Sequence, residues 1–314
     1  MPDNGQFLPL TREEMAERGW DKPDFLFVSG DAYVDHPSFG HAVLARLLES
    51  RGFRVAIVAQ PDWRSTDDFT RLGRPRLGVL VSSGVLDSMI NNYTAAKKRR
   101  REDSYAPGGK GGKRPDRALI VYCNRIREAF GDIPIIIGGL EASLRRFAHY
   151  DYWQDSVRSS ILVDSGADLL VFGNGEKTLL EIAALLDRGV PIKSLKSQRG
   201  TAYCCSYEEL PNKLRQDLEG ECKTVIRLPS REEVIQDKKA YARAFMVQYR
   251  EQNSFLGRIL IQQDGRRYVV QNRPQEPMTE KELDEVYRLP YMRSWHPSYD
   301  KEGGVPALKE VQFS

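Results

Sequence analysis

Apolar residues in the first two thirds of the chain come in short runs that end on glycine or a small polar residue, with amphipathic stretches between them. Phe25 to Ser29 is the first such run, followed by Gly30 and Asp31, the pattern of a buried strand that delivers a polar loop at its carboxyl end. Ser38 to Arg51 predicts a helix, with Val43, Leu44, Leu47 and Leu48 on one face, Ser38 as N-cap and Gly52 at C′. Arg54 to Ala59 predicts the next strand, which completes a βαβ unit of the kind that builds parallel sheets with right-handed crossovers.

The alternation continues. Leu77 to Val81 and Ile133 to Ile137 predict strands, the second closed by Gly138 and Gly139, and Val85 to Ala96 and Arg117 to Phe130 predict helices. Ile161 to Val163 and Leu169 to Phe172 predict further strands, and Gly173-Asn174-Gly175-Glu176 leads into a helix from Thr178 to Leu186. Residues 1–195 are therefore expected to form an α/β domain, a doubly wound and mainly parallel sheet of Rossmann type. Beyond Gly189 the pattern changes: Tyr203 to Ser206 and Val225 to Leu228 predict strands, Glu232 to Gln252 a charged helix, and Ile259 to Gln262 with Tyr268 to Gln271 a hairpin around Asp264-Gly265. Residues 196–314 are expected to form a smaller α+β region.

Composition narrows the function classes. With 314 residues, 40% hydrophobic and 29% charged, the chain fits a folded globular protein. Its 47 basic and 44 acidic side chains nearly cancel, so any basic effect is local. It is concentrated in residues 97–117, where Lys97, Lys98, Arg99, Arg100 and Arg101 precede a glycine-rich stretch. Clustered cations gain affinity by displacing counterions from a phosphate backbone, so this run, with Tyr93 and Tyr105, is a candidate RNA contact; a solvated loop explains it equally well. No apolar run approaches the roughly 18 residues needed to span a bilayer, and Met1 to Trp20 lacks a secretory apolar core, so a cytoplasmic protein without a membrane partner is expected. Cys123, Cys204, Cys205 and Cys222 match neither a disulfide framework nor a paired zinc motif and read as reduced structural thiols, with no metal site.

Open parallel sheets bind ligands beyond the carboxyl ends of their strands, which points to the loops at Gly30, Ser82, Gly138 and Gly173. Asp31, with Asp35, His36 and His41, could ligate a metal or shuttle protons, or simply cap the loop. Gly138 and Gly139, and Gly173 and Gly175 ahead of a helix, could present backbone N–H groups to an anion or be tight turns. The stretch from Glu141 to Trp153 concentrates charge and aromatic rings: Arg145 and Arg146 could clamp a carboxylate or phosphate, and Tyr150, Tyr152 and Trp153 could stack on a planar ligand. No Ser-His-Asp order, H-E-x-x-H pair or G-x-x-x-x-G-K-[ST] loop is present, so no catalytic residue is assigned.

Four strings in order carry a resemblance: Gly30-Asp31-Ala32-Tyr33-Val34-Asp35-His36-Pro37-Ser38-Phe39-Gly40, then Asn91-Asn92-Tyr93-Thr94, then Gly112-Lys113-Arg114-Pro115-Asp116-Arg117, then Glu141 through Trp153. Together they resemble the N-terminal region of the YgiQ-like radical S-adenosylmethionine (radical SAM) proteins, from Phe7 to Ser314. The resemblance implies a cobalamin-binding-like Rossmann module followed by a radical SAM barrel, where a C-x3-C-x2-C loop holds a [4Fe–4S] cluster that binds S-adenosylmethionine. In the family that loop follows the stretch resembling Gly304-Val305-Pro306-Ala307-Leu308; this sequence lacks it, so the chain is expected to be truncated before it and inactive alone. The implied partner is the C-terminal radical SAM domain of the same protein. The cobalamin-ligand pattern D-x-H-x-x-G is not met, because Asp35 and His36 are adjacent, although Gly138-Gly139 resembles the paired glycines of such modules. The expected role is an accessory domain that positions an unknown substrate or covers the active site; the alternatives are an RNA-binding or a small-ligand-binding module without catalysis.

Overall fold

The computed structural model describes residues 5–220 and 225–311, and the chain divides into two compact units, 1–141 with 278–314, and 142–277. The expected boundary near residue 195 lies inside the second unit.

The first unit is built on β1 (Phe25–Ser29), β2 (Val34–Asp35), β3 (Val55–Ala59), β4 (Gly78–Ser82) and β5 (Ile135–Gly138). Four of them form a parallel sheet in the order β5-β4-β1-β3, in register at Leu26↔Ala56, Leu26↔Val79 and Leu80↔Ile136. All five residues of β1 are buried, as a central parallel strand covered on both faces requires. Helix Gly40–Ser50 lies between β1 and β3 in the chain, and helix Ala118–Phe130 between β4 and β5. Because β3 lies on one side of β1 and β4 on the other, the winding reverses between β1 and β4, and a crevice is expected at their carboxyl ends. Residues 278–311 return to this unit: Ser294–Trp295 pairs antiparallel with β2, and Met292 N–H donates to Asp35 Oδ2 at 2.9 Å.

The second unit holds a hairpin, β6 (His149–Asp151) with β7 (Ser156–Arg158), and the strands β8 (Leu169–Val171), β9 (Thr201–Ser206), β10 (Val225–Arg227), β11 (Ile259–Asp264) and β12 (Arg267–Gln271). These five run in the order β10-β11-β12-β9-β8, with β10 and β11 parallel and the other pairs antiparallel. The expected hairpin is present: Asp264 faces Arg267, and Gly265 takes φ +60° at the first turn position, where glycine carries no steric penalty.

Several expected elements differ. Ile161–Ser165 is a helix rather than a strand, because Ser160 Oγ caps the Leu162 amide and Gly166 closes it in the left-handed region. The helix expected over 85–96 is limited to Ser88–Asn92, capped by Asp87, since Tyr93 then bridges back to Arg99. The long helix over 232–252 is two, Arg231–Gln236 and Lys238–Arg250, broken at Asp237, whose carboxylate caps the second. In helix Gly40–Ser50, Phe39 rather than Ser38 is the N-cap residue, and the buried face is Ala42, Ala45, Arg46, Leu47 and Leu48, leaving Val43 and Leu44 half-buried. That face is rotated because Arg46 turns inward to the Asp35 carboxylate.

At the crevice, a Cβ on Gly30 would run into the Ser83 carbonyl, which is backbone and cannot swing away. Gly30→Ala is therefore expected to cost about 1–3 kcal/mol or more. At Gly40 a Cβ meets nothing within 4 Å, so Gly40→Ala should be neutral or stabilising by about 0.4–1 kcal/mol, and urea unfolding of the two variants checks the contrast.

Candidate functional site

The carboxyl ends of β1 and β4 are where an open parallel sheet of this winding takes its ligands. Here the crevice is filled. Arg114, fully buried, donates from Nη2 to Asp31 Oδ1 at 2.7 Å and to Asp103 Oδ2 at 3.2 Å, and from Nη1 to the Ser83 carbonyl. Asp31 Oδ2 accepts from the Val85 amide at 2.7 Å, and Ser29 Oγ accepts from the Asp31 amide. Burial pushes the Asp31 carboxyl up from its ordinary value, against the Arg114 guanidinium that pulls it down. Gly84, at φ +109°, has no room for a side chain because the Asp31 carboxylate and Arg114 lie against it. Two carboxylates and one guanidinium thus bond the loops to each other, with Arg114 Nε buried and unpaired.

The neighbouring Asp-His cluster is also engaged internally. Asp35 accepts from Arg46 Nε at 3.1 Å, and Arg46 also reaches Glu49 and the Gln6 carbonyl. His36 is buried, and its Nδ1 accepts from the Ser38 amide at 3.1 Å. His41 Nε2 accepts from the Val34 amide, and burial lowers its pKa to about 4.

Glu141, with no exposed surface, is shared between two helix starts. Oε2 accepts from the Ser88 amide at 2.8 Å and Oε1 from the Leu119 amide at 3.3 Å, while Ser88 Oγ accepts from the Ala118 amide. A carboxylate suits this place because unpaired N–H groups and the positive helix ends face it. Gly138 ends β5 opposite Ser82, and Gly139 turns the chain at φ +86°.

Arg145, Arg146, Gly173 and Gly175 belong to the second unit. Both arginines are buried, and Arg146 donates from Nε to Gln271 Oε1 at 2.6 Å. Gly173, at φ +71°, is exposed, and Gly175 precedes helix Glu176–Asp187 without a side-chain cap. Tyr150 sits in the β6–β7 hairpin, Tyr152 and Trp153 form its turn, and Tyr150 and Tyr152 are exposed. A cavity of about 370 Å³ in this unit, lined by Lys193, Lys196, Tyr203, Cys204, Glu209 and Arg267 among others, has no counterpart in the sequence reading.

The basic segment splits in two. Lys97, Lys98, Arg99, Arg100 and Arg101 are exposed, with the Arg99 guanidinium 5.9 Å from the Tyr93 ring centre and Arg100 Nε bonded to the Tyr93 carbonyl. Arg114, from the same segment, is the buried ion at the crevice.

A family model described as Radical SAM N-terminal matches residues 7–314. The chain belongs to the radical SAM N-terminal family. It is 55% identical over 311 residues to a UPF0313 protein of Clostridium botulinum (strain Kyoto / Type A2), covering 99% of this chain and 46% of the relative. A UPF0313 protein of Clostridium perfringens (strain 13 / Type A) is 52% identical over 310 residues, covering 98% of this chain and 45% of that one. The radical SAM N-terminal chain thus spans a little under half the length of the curated relatives it matches. Among solved structures it is similar to the radical S-adenosylmethionine methyltransferase TsrM from Kitasatospora setae, with tryptophan and a SAM analog bound, at a TM-score of 0.37 and 21% identity over 57% of this chain and 28% of that one.

The radical SAM N-terminal chain does not offer a cluster site among its described residues. A [4Fe–4S] cluster needs convergent thiolates. Cys204 and Cys205 are neighbours on β9 and so point to opposite faces, and burial pushes their thiols up to about 11 and about 12. Cys123 is buried in helix Ala118–Phe130, and Cys222 lies outside the described residues. Cobalamin fits no better: His36 and His41 each accept a backbone N–H with a ring nitrogen, and the crevice is occupied by Arg114. Among the described residues, no helix is long and apolar enough to cross a membrane.

Buried His41 and half-buried His149 make stability depend on pH. His41, and His149 in the second unit, are each held down to about 4 by burial, below the ordinary 6.5, so unfolding takes up protons between these values. Their contribution is fully present above pH 6.5 and is lost as pH falls towards 4. His41→Phe should lose about 2 kcal/mol less stability than the parent between pH 7 and pH 5, read from urea unfolding at the two pH values.

Proposed function

We propose that this chain is the accessory N-terminal part of a radical SAM, [4Fe–4S]-dependent protein, and that it positions substrate against, or covers, an active site supplied by residues beyond the region shared with its relatives. The observation that carries this reading is an apolar face on the second unit. Phe245, Met246 and Tyr249 lie on neighbouring positions of helix Lys238–Arg250, and Phe255 and Leu256 follow in the next turn; Phe245, Tyr249, Phe255 and Leu256 are 59, 65, 69 and 77% exposed. Several large apolar side chains left in water on one helix and the turn that follows it suit a surface that another protein surface covers. More than half of the length of each curated relative lies outside the match, so the occupant we assign is that remaining part of the same polypeptide. The described cysteines support the same division of labour, since Cys123, Cys204 and Cys205 do not converge on a cluster. The substrate stays unassigned.

A second reading, RNA presentation, is favoured by one observation, the exposed run from Lys97 to Arg101 with Arg99 against the Tyr93 ring. Its signature is RNA affinity that falls steeply with salt.

The test sets this chain beside the full-length C. botulinum relative, each reconstituted anaerobically with iron and sulfide. The reading expects cluster absorption and S-adenosylmethionine cleavage in the longer protein only, and both reduced there by Phe245→Asp with Tyr249→Asp at the matching positions. A cluster held by this chain alone, or a longer protein without one, contradicts it.

A further inference from the structure

Among the described residues, Arg146 is a buried cation without a counter-ion. It is 8% exposed and Gln271 is fully buried. Its Nε donates to Gln271 Oε1 at 2.6 Å and its Nη1 to the Ser143 carbonyl, while Nη2 has no acceptor among the described residues. No carboxylate pairs with it, and burial alone brings its pKa down to about 10. The guanidinium rests over two rings, 5.4 Å from the Phe172 centre and 5.8 Å from that of Phe147. Such contacts return up to about 2 kcal/mol, less than the several kcal/mol that removing an ion from water costs.

Gln271 carries the matching deficit. Its Oε1 is used by Arg146, and its Nε2 is buried with no partner. One hydrogen bond therefore joins two groups that each have a donor to spare, one of them charged. Phe172, the ring under the guanidinium, is followed in the chain by the exposed Gly173 and Asn174, and a Cβ on Gly173 would meet nothing within 4 Å. Glu176 already occupies the first turn of the helix that follows, which makes the side chains, not the helix end, the receptor.

We infer that Arg146 and Gln271 form the binding site for the carboxylate of a small molecule, with one oxygen accepting from Arg146 Nη2 and the other from Gln271 Nε2, above the Phe172 ring. A single positive charge and two spare donors match the charge and the two oxygens of a carboxylate; a phosphate dianion would need more of both. The inference is independent of the radical SAM reading, because it rests only on groups of the second unit.

Acetate, titrated into this chain against sodium chloride and phosphate at matched ionic strength, tests it by thermal melting. Acetate is expected to give a saturable rise in Tm of about 3 °C at ten times its Kd. Gln271→Glu, which supplies the missing carboxylate internally, should raise Tm and abolish the acetate response, and Arg146→Met should abolish the response without raising Tm. A Gln271→Glu protein that melts lower than the parent, or that still responds to acetate, overturns the inference. So does a response to phosphate larger than that to acetate, or no response beyond sodium chloride.

Discussion

Arg114, without exposed surface and bonded to Asp31, Asp103 and the Ser83 carbonyl, is the interaction on which the first unit depends. Burying a guanidinium costs several kcal/mol unless its charge is met and its donors are used. Asp31 and Asp103 meet the charge, and in doing so join the loop after β1, the loop after β4 and the glycine-rich connection that carries Arg114 itself. Gly30 and Gly84 follow from the same constraint, since only residues without a side chain leave room for the network. Asp35 and Arg46 repeat the device nearby: the carboxylate holds the helix after β2 and accepts the Met292 amide of the returning C-terminal segment.

The functional consequence is a division between the units. The first has the winding that opens a ligand crevice in doubly wound folds, yet that place is taken by an internal ion network. Membership of the radical SAM N-terminal family does not change this reading, because the described cysteines do not converge and the two histidines after β1 serve backbone amides. The second unit carries an exposed apolar face, a cavity and, among the described residues, a buried guanidinium with no carboxylate beside it.

How much of this was legible in the sequence follows from how local each cause is. The parallel strands, the helix Ala118–Phe130 and the Asp264-Gly265 hairpin were legible because their signals lie within a few residues. Helix Ile161–Ser165 was missed because an apolar run that short has no period of its own, and its Ser160 cap and Gly166 stop decided it. Asp31 and His36 were expected to cluster after the first strand; β2 separates them, and their partners were not visible: Arg114 lies 83 residues from Asp31 and inside a segment that looks solvated. Arg46 lies on the buried face of its helix, and nothing in the local sequence marks it as such. Arg146 was singled out as a possible clamp, whereas Gln271, 125 residues away, gave no signal in a strand that reads as plain β structure.

The Asp31–Arg114 pair locks the crevice, and a double-mutant cycle of Asp31→Asn and Arg114→Met, followed by urea unfolding, tests this most directly. Each single substitution should cost about 3–5 kcal/mol, because it leaves an uncompensated buried charge or its orphaned partner. The double variant should cost clearly less than the sum, with a coupling of about 0.5–3 kcal/mol or more. Additive losses, or single losses under about 1 kcal/mol, would contradict the claim and return the crevice to the places where a ligand is to be sought.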